Sequence, residues 1–274
     1  MMQPDGYRVK GKEDMVCKLE KSLYGLKQSP RQWYLKFDGF MRGQEYLRSE
    51  YDHCVYFKRL PDGNFIYLLL YVDDMLIASK NMMEIEKLKA QMKKHFEMKD
   101  LGEAKKILGM EITRNRDKGV VYLTQKQYLE KLLLRFRVGV STKAVSTPLA
   151  PHFKLSAECC PKTEEERRYM AEIPYASLVG GLMYTMVCSR PDIAQAVGVI
   201  SRYMHNPGKE HWFAASWILR YLPGTRDVGL CFKKTSSGLR NFVAGYVDSD
   251  FAGDLDKSRS TAGYLFTMAQ GPVS

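Results

Sequence analysis

The chain has 274 residues, 45% hydrophobic and 27% charged, with a formal net charge of +11 at pH 7. Such a balance is ordinary for a globular protein, and the length suits two domains, or one domain and part of another. The longest apolar run, Phe65–Val72, is far too short to span a bilayer, and the polar N-terminus reads as no secretory signal; no membrane partner is expected, and an intracellular protein is.

Residues 1–15 read as loop and Val16–Leu19 as a short strand. Ser29 followed by Pro30 predicts a helix start, with Ser29 as N-cap and Pro30 at the first helical position. Trp33, Phe37, Phe40 and Gln44 then share one face at helical spacing, with Met41 beside them. Gly25, just before that start, permits a backbone that other residues resist and lets a ligand approach closely.

Cys54–Leu60 predicts a strand, with a turn at 61–64. Two β-prone runs follow, Phe65–Val72 and Met75–Ala78, apolar enough to suit strands covered on both faces. Between them stand Asp73 and Asp74. Adjacent ionised carboxylates are not buried unpaired, because desolvation costs too much. A tight turn at the rim of a three-stranded meander would let both face one hard cation. An acidic, solvated hairpin turn is the plainer alternative. Ile85, Leu88, Met92 and Phe96 mark an amphipathic helix covering the sheet.

Ile107–Ile112 and Val120–Thr124 predict a second hairpin, followed by a helix from Gln125 to about Phe136 with Tyr128, Leu132, Leu133 and Phe136 inward. Val145–Pro161, with its prolines, reads as a linker or boundary loop. Thr163 can cap a helix opening on three glutamates. Helical patterns over Tyr175–Cys188, Asp192–Met204 and Lys209–Tyr221 suggest packing, with Gly180 and Gly181 allowing close helix approach. Val243–Val247 and Thr261–Thr267 predict strands around a loop holding Asp248, Asp250, Asp254 and Asp256. An Asp at the end of a central strand suits a metal ligand; a solvated acidic loop is the alternative.

The six cysteines form no CxxC pair and the five histidines show no ligand spacing, which favours reduced thiols packed as small hydrophobes over a zinc or disulfide framework. Residues 1–150 hold 28 Lys and Arg against 19 Asp and Glu, while residues 151–274 hold 14 against 12. A basic half beside an acidic pair suits a polyanion reacting at a metal, although a Lys-rich surface serving solubility would look alike.

Three segments together resemble the reverse transcriptase of copia-type long-terminal-repeat retrotransposons: LYGLKQSPRQWY at Leu23–Tyr34, YVDD at Tyr71–Asp74, and FEMKDLGEAKKILGMEI at Phe96–Ile112. Farther on, STPLAPHFKL, LVGGLMYTMVCSRPDIAQAV and WILRYLPGT resemble the region between polymerase and nuclease, and GYVDSDFAGDLDKSRSTAGYLF the opening strands of ribonuclease H. Pro223 departs from a usually basic position.

The resemblance implies an α+β fold: a partial reverse-transcriptase palm with an antiparallel sheet (1–112), a thumb-like segment (113–150), a helical connection (151–240) and a truncated ribonuclease H-like β hairpin (241–274). It implies RNA-directed DNA synthesis with two Mg²⁺ ions, on an RNA or DNA template with primer and deoxynucleoside triphosphates. Asp73 would ligate both ions and Asp74 would lie at the primer end. Tyr71 would lie beneath the primer terminus, and Gly25, Lys27 and Gln28 would shape the nucleotide pocket. Lys99 is a candidate proton donor to pyrophosphate, and Asp248 a nuclease metal ligand.

The resemblance also implies a further Asp upstream of the segment that MMQPDGY resembles, and nuclease carboxylates after Asp248. The chain therefore reads as a piece of a larger polyprotein, cytoplasmic in an intact element and inactive by itself. The rival reading is a non-catalytic remnant that binds nucleic acid.

Overall fold

The computed structural model describes residues 1–23, 25–137, 143–234 and 243–274. Tyr24 of the Leu23–Tyr34 motif, residues 138–142 of the thumb-like segment and the expected boundary at 240–241 lie outside the described residues. The chain divides into two units, Met1–Gly102 and Glu103–Ser274.

In the first unit, α1 (Ser29–Gly43) and α2 (Met82–His95) accompany strands β1 (Leu47–Arg48), β2 (Val55–Arg59), β3 (Phe65–Tyr71) and β4 (Asp74–Ser79). The strands form an antiparallel sheet in the order β1-β2-β3-β4, one strand more than the expected meander. Ser29 is not the N-cap of α1. That place falls to Gln28, Pro30 sits in the first turn, and the Ser29 hydroxyl donates to the Leu23 carbonyl instead. Asn81 caps α2 by accepting from the amides of Met83 and Glu84. Val16–Leu19 forms no strand; Val16 makes only a bridge to Met2.

The expectation that β3 is covered on both faces is overturned. Ile66, Leu68 and Leu70 are buried, whereas Phe65, Tyr67 and Tyr71 are exposed. Period-two alternation therefore decides the sheet: the apolar residues enter a core with Phe37, Met41, Tyr56, Leu88 and Met92, and the aromatic residues stand on the other face.

The second unit opens with β5 (Lys106–Ile107), β6 (Met110–Asn115) and β7 (Val120–Thr124), joined by β8 (Leu230–Lys233) in the order β5-β6-β7-β8. Ile107–Ile112 is thus not one strand. Leu108 and Gly109, both at positive φ (49° and 70°), fold it into a two-residue hairpin. Next come α3 (Lys126–Arg135), α4 (Glu164–Ala171), α5 (Tyr175–Cys188), α6 (Ala194–Ser201) and α7 (Lys209–Tyr221). Thr163 caps α4 as expected, and Glu166 completes a capping box with it.

Helices α5, α6 and α7 pack around Leu178, Leu182, Ile193, Ile200, Ile218 and Leu219. A β-carbon on Gly181 would lie 2.6 Å from Leu132 Cδ1, so glycine there brings α5 close against α3. The stretch Val145–Pro161 is no open linker: Ala150 and Leu155 are buried, and Leu149 and Phe153 pack on the helical core. Its prolines interrupt helix without preventing burial. The chain closes with β9 (Ala244–Ser249), β10 (Ala262–Met268) and β11 (Gly271–Pro272), in the order β11-β10-β9. Antiparallel sheets and helices together make this an α+β chain. Among the described residues no helix is long and apolar enough to cross a membrane.

Candidate functional site

The β3–β4 register pairs Tyr71 with Asp74, which leaves Val72 and Asp73 as the two-residue turn. The expectation that both aspartates form the turn needs correction: Asp73 is at its tip and Asp74 is the first residue of β4. Tyr71, Asp73 and Asp74 are thereby brought together at one exposed rim.

Val72 carries a φ of +52°. A two-residue hairpin loop with positive φ at its first central position ordinarily takes glycine there. A β-branched residue in that region is an outlier that costs about 1–3 kcal/mol and persists only where its surroundings demand it. Val72→Gly is expected to raise the unfolding free energy by about 1 kcal/mol, the relief of strain exceeding the added chain entropy of glycine. Urea unfolding of the two proteins measures it; a lower midpoint for the variant would contradict the strain.

The exposed aromatic side chains extend from this rim. Phe65 and Tyr67 stack with ring centroids 5.9 Å apart, and Phe57 lies 6.3 Å from Phe65. The signal for this surface was the alternation of Phe65, Tyr67 and Tyr71 with Ile66, Leu68 and Leu70, hidden by the high overall apolarity of the run.

Gly25, Lys27 and Gln28 lie together on the exposed turn that enters α1. Gly25 has a φ of +89°, so the turn requires glycine, and nothing lies within 4 Å of the place a β-carbon would take. Amides at a helix entrance and the charge of Lys27 suit an anion. Lys99 is exposed in the loop after α2, beside Asp100, whose carboxylate accepts from the Gly102 amide and pairs with Lys89 at 3.3 Å.

Asp248 lies in the second unit, inside β9 rather than in the loop, opposite Gly263. Strand β9 is at the edge of its sheet and exposed throughout, not central and covered. The Asp248 carboxylate accepts from the Ser249 amide. Other acids of this loop shape the chain: Asp250 accepts from the Gly253 and Thr261 amides, and Asp256 from the Ala157 amide and the Tyr203 hydroxyl.

Among the described residues no group of three or more His, Cys, Asp or Glu converges. Asp73 and Asp74 fit one hard divalent cation whose remaining ligands are water and substrate phosphates. They do not by themselves fit two such ions.

Residues 1–151 match the family described as "Reverse transcriptase (RNA-dependent DNA polymerase)". The whole chain aligns at 57% identity with 20% of the retrovirus-related Pol polyprotein from transposon TNT 1-94 of Nicotiana tabacum. It aligns over its full length at 36% identity with 18% of the corresponding polyprotein from transposon RE1 of Arabidopsis thaliana. At 31% identity, 99% of the chain covers 84% of the putative transposon Ty5-1 protein YCL074W of Saccharomyces cerevisiae. The chain spans about a fifth of the first two relatives. No solved structure matches.

Proposed function

The chain belongs to the reverse transcriptase family, as a copia-type retrotransposon Pol segment, and from that premise we propose that the Tyr71–Asp74 rim is its site for nucleotidyl transfer at a primer end. The observation that carries the reading is the β3–β4 hairpin, which holds two exposed carboxylates beside a strained Val72 and an aromatic sheet face.

Reverse transcriptases generally use a divalent metal, and here Mg²⁺ is the ion proposed. When bound, it would neutralise phosphate charge and orient the reacting oxygens. Asp73 and Asp74 hold it from the hairpin, and Tyr71 supports the primer terminus. The backbone at Gly25 admits the incoming deoxynucleoside triphosphate closely, with Lys27 and Gln28 at its phosphates. Lys99 is the proposed proton donor to pyrophosphate, and Asp248 a ligand of a ribonuclease H-like part. In this reading residues 1–112 act as palm, 113–150 as thumb, 151–240 as connection and 241–274 as the ribonuclease H-like opening. An intracellular place, cytoplasmic for the intact element, rests on the sequence alone.

Template and primer are held chiefly through phosphates. Residues 103–150 carry 10 Lys and Arg against 4 Asp and Glu, so most of the basic excess of the first 150 residues falls within this stretch. Two-metal transfer needs carboxylates beyond Asp73 and Asp74, and DNA synthesis therefore requires a further acidic ligand.

Primer–template binding and primer extension on an RNA template test the proposal, with Asp73→Asn as control. The expected result is duplex binding whose logarithm falls linearly and steeply with the logarithm of salt, and no Mg²⁺-dependent extension by this chain alone. Extension that Asp73→Asn abolishes would show that another carboxylate completes the site. Absence of binding at low salt would reduce the chain to a remnant without nucleic-acid function.

A further inference from the structure

The Leu108–Gly109 turn between β5 and β6 is held from outside its own hairpin. The Tyr184 hydroxyl on α5 donates to the Leu108 carbonyl, a partner 76 residues away in sequence. Its oxygen would lie 3.6 Å from a β-carbon on Gly109, so the tyrosine is seated directly over the turn. Leu108 is a bulky residue at a φ of +49°, a conformation that needs support.

Tyr184 is itself fixed. What fixes it is its ring contact with Tyr128 on α3, centroids 5.0 Å apart, which does not depend on the Tyr128 hydroxyl; that hydroxyl donates separately to the Gly181 carbonyl on α5. Gly181 brings α5 and α3 close enough for these contacts.

An open groove of about 630 Å³ lies along the strands of this hairpin, lined by Lys106 of β5 and by Glu111 and Arg114 of β6 rather than by the turn residues themselves. Lys105, Lys106, Arg114, Arg116, Thr113 and Gln127 line it, alongside the carboxylates of Glu103 and Glu111. Lys106 donates to Gln127, and Arg114 to the Ala104 carbonyl, so the hairpin's conformation sets where these cations stand. A groove with more cations than anions, hydroxyl and amide groups among them, fits a phosphodiester backbone.

We propose that Tyr184 is a positioning residue for nucleic-acid binding: its hydroxyl locks the Leu108–Gly109 turn, and the locked hairpin presents the lysines and arginines of the adjoining groove to duplex phosphates. The binding half rests on the function proposed above; the lock does not. The helical block thereby controls a hairpin far from it in sequence, and this link is invisible in either segment alone.

The test compares the wild type with Tyr184→Phe, which removes one hydroxyl and keeps the ring. Tyr128→Phe serves as control, since it removes a hydroxyl from the same cluster without touching the turn. Backbone amide exchange of Ile107–Ile112 is measured without nucleic acid, and the dissociation constant for a primer–template duplex is measured separately. Tyr184→Phe is expected to speed exchange about three- to tenfold, the range of one hydrogen bond, and to weaken duplex binding by up to a similar factor, with the thermal midpoint lowered by only about 2–4 °C. Tyr128→Phe should leave both readouts near wild type.

Unchanged exchange in Tyr184→Phe overturns the lock, whatever the duplex does. Faster exchange with unchanged affinity overturns the link to binding. A wild type that binds no duplex overturns the proposed function and the binding half together, while exchange still decides the lock.

Discussion

Replacing Asp192 by Ala is expected to destabilise the second unit by about 3–5 kcal/mol, because it strands a buried guanidinium. The Arg190 side chain is 0% exposed, and its Nη2 lies 2.7 Å from the Asp192 carboxylate while Nε donates to the other oxygen at 2.8 Å. Two further donations go to Thr225, one to its carbonyl and one to its hydroxyl. The Tyr221 hydroxyl donates to Asp192, and its ring lies under the guanidinium. Removing the carboxylate leaves an uncompensated charge in the helical core, which costs far more than the loss of a surface ion pair. Thermal and urea unfolding check the magnitude. A loss below about 1 kcal/mol would mean that water reaches Arg190.

The same pair sets an acid dependence. Burial pushes the Asp192 carboxyl up, but hydrogen bonds and charge from Arg190, with the Tyr221 hydroxyl, outweigh it and hold the group below the usual carboxylate range. A carboxyl depressed in the folded state contributes stability above its unfolded pKa of about 3.9 and loses it as pH falls through the lower folded value. Wild-type stability should therefore fall in acid more steeply than that of Asp192→Ala. Urea midpoints measured from neutral pH down to about pH 3 compare the two slopes. Parallel curves would remove Asp192 from the account.

Phe37→Ala is expected to cost the first unit about 3–5 kcal/mol, the range for emptying a buried aromatic position. Phe37 is 0% exposed and joins three elements: its ring stacks on Trp33 at 5.2 Å and meets Tyr56 and Phe96, each at 5.7 Å. Those contacts tie α1 to β2 and to the end of α2, and so support the sheet that carries the Tyr71–Asp74 rim. Such a loss is a large share of the stability of an ordinary domain, about 5–15 kcal/mol. Amide exchange across β3 and β4 reads the result directly; exchange unchanged from wild type would show that the sheet is held without this cluster.

Local signals were enough for much of this chain. The capping box at Thr163, the apolar periodicity of Tyr175–Cys188 and Lys209–Tyr221, and the carboxylate pair between two β-prone runs each act within a few residues, so the sequence by itself determined them. Motif order did the same for the family, because LYGLKQSPRQWY, YVDD and FEMKDLGEAKKILGMEI are specific only in combination.

What depends on a distant partner was not legible. Strand β8 pairs with β7 across a hundred residues, Val121 opposite Phe232, and no local pattern names that partner. The helical core buries Leu155 inside a proline-bearing stretch that local rules read as open chain. Arg190 was visible only as one charge in a motif; its burial is the work of Asp192, Thr225 and Tyr221 converging on it. Apolarity predicted β3, but a uniformly apolar run does not say which face is covered, and α1 and α2 on one side made that choice. Backbone conformation at Val72 and Leu108 likewise follows from register, since a two-residue turn must close the strands that tertiary packing has already aligned.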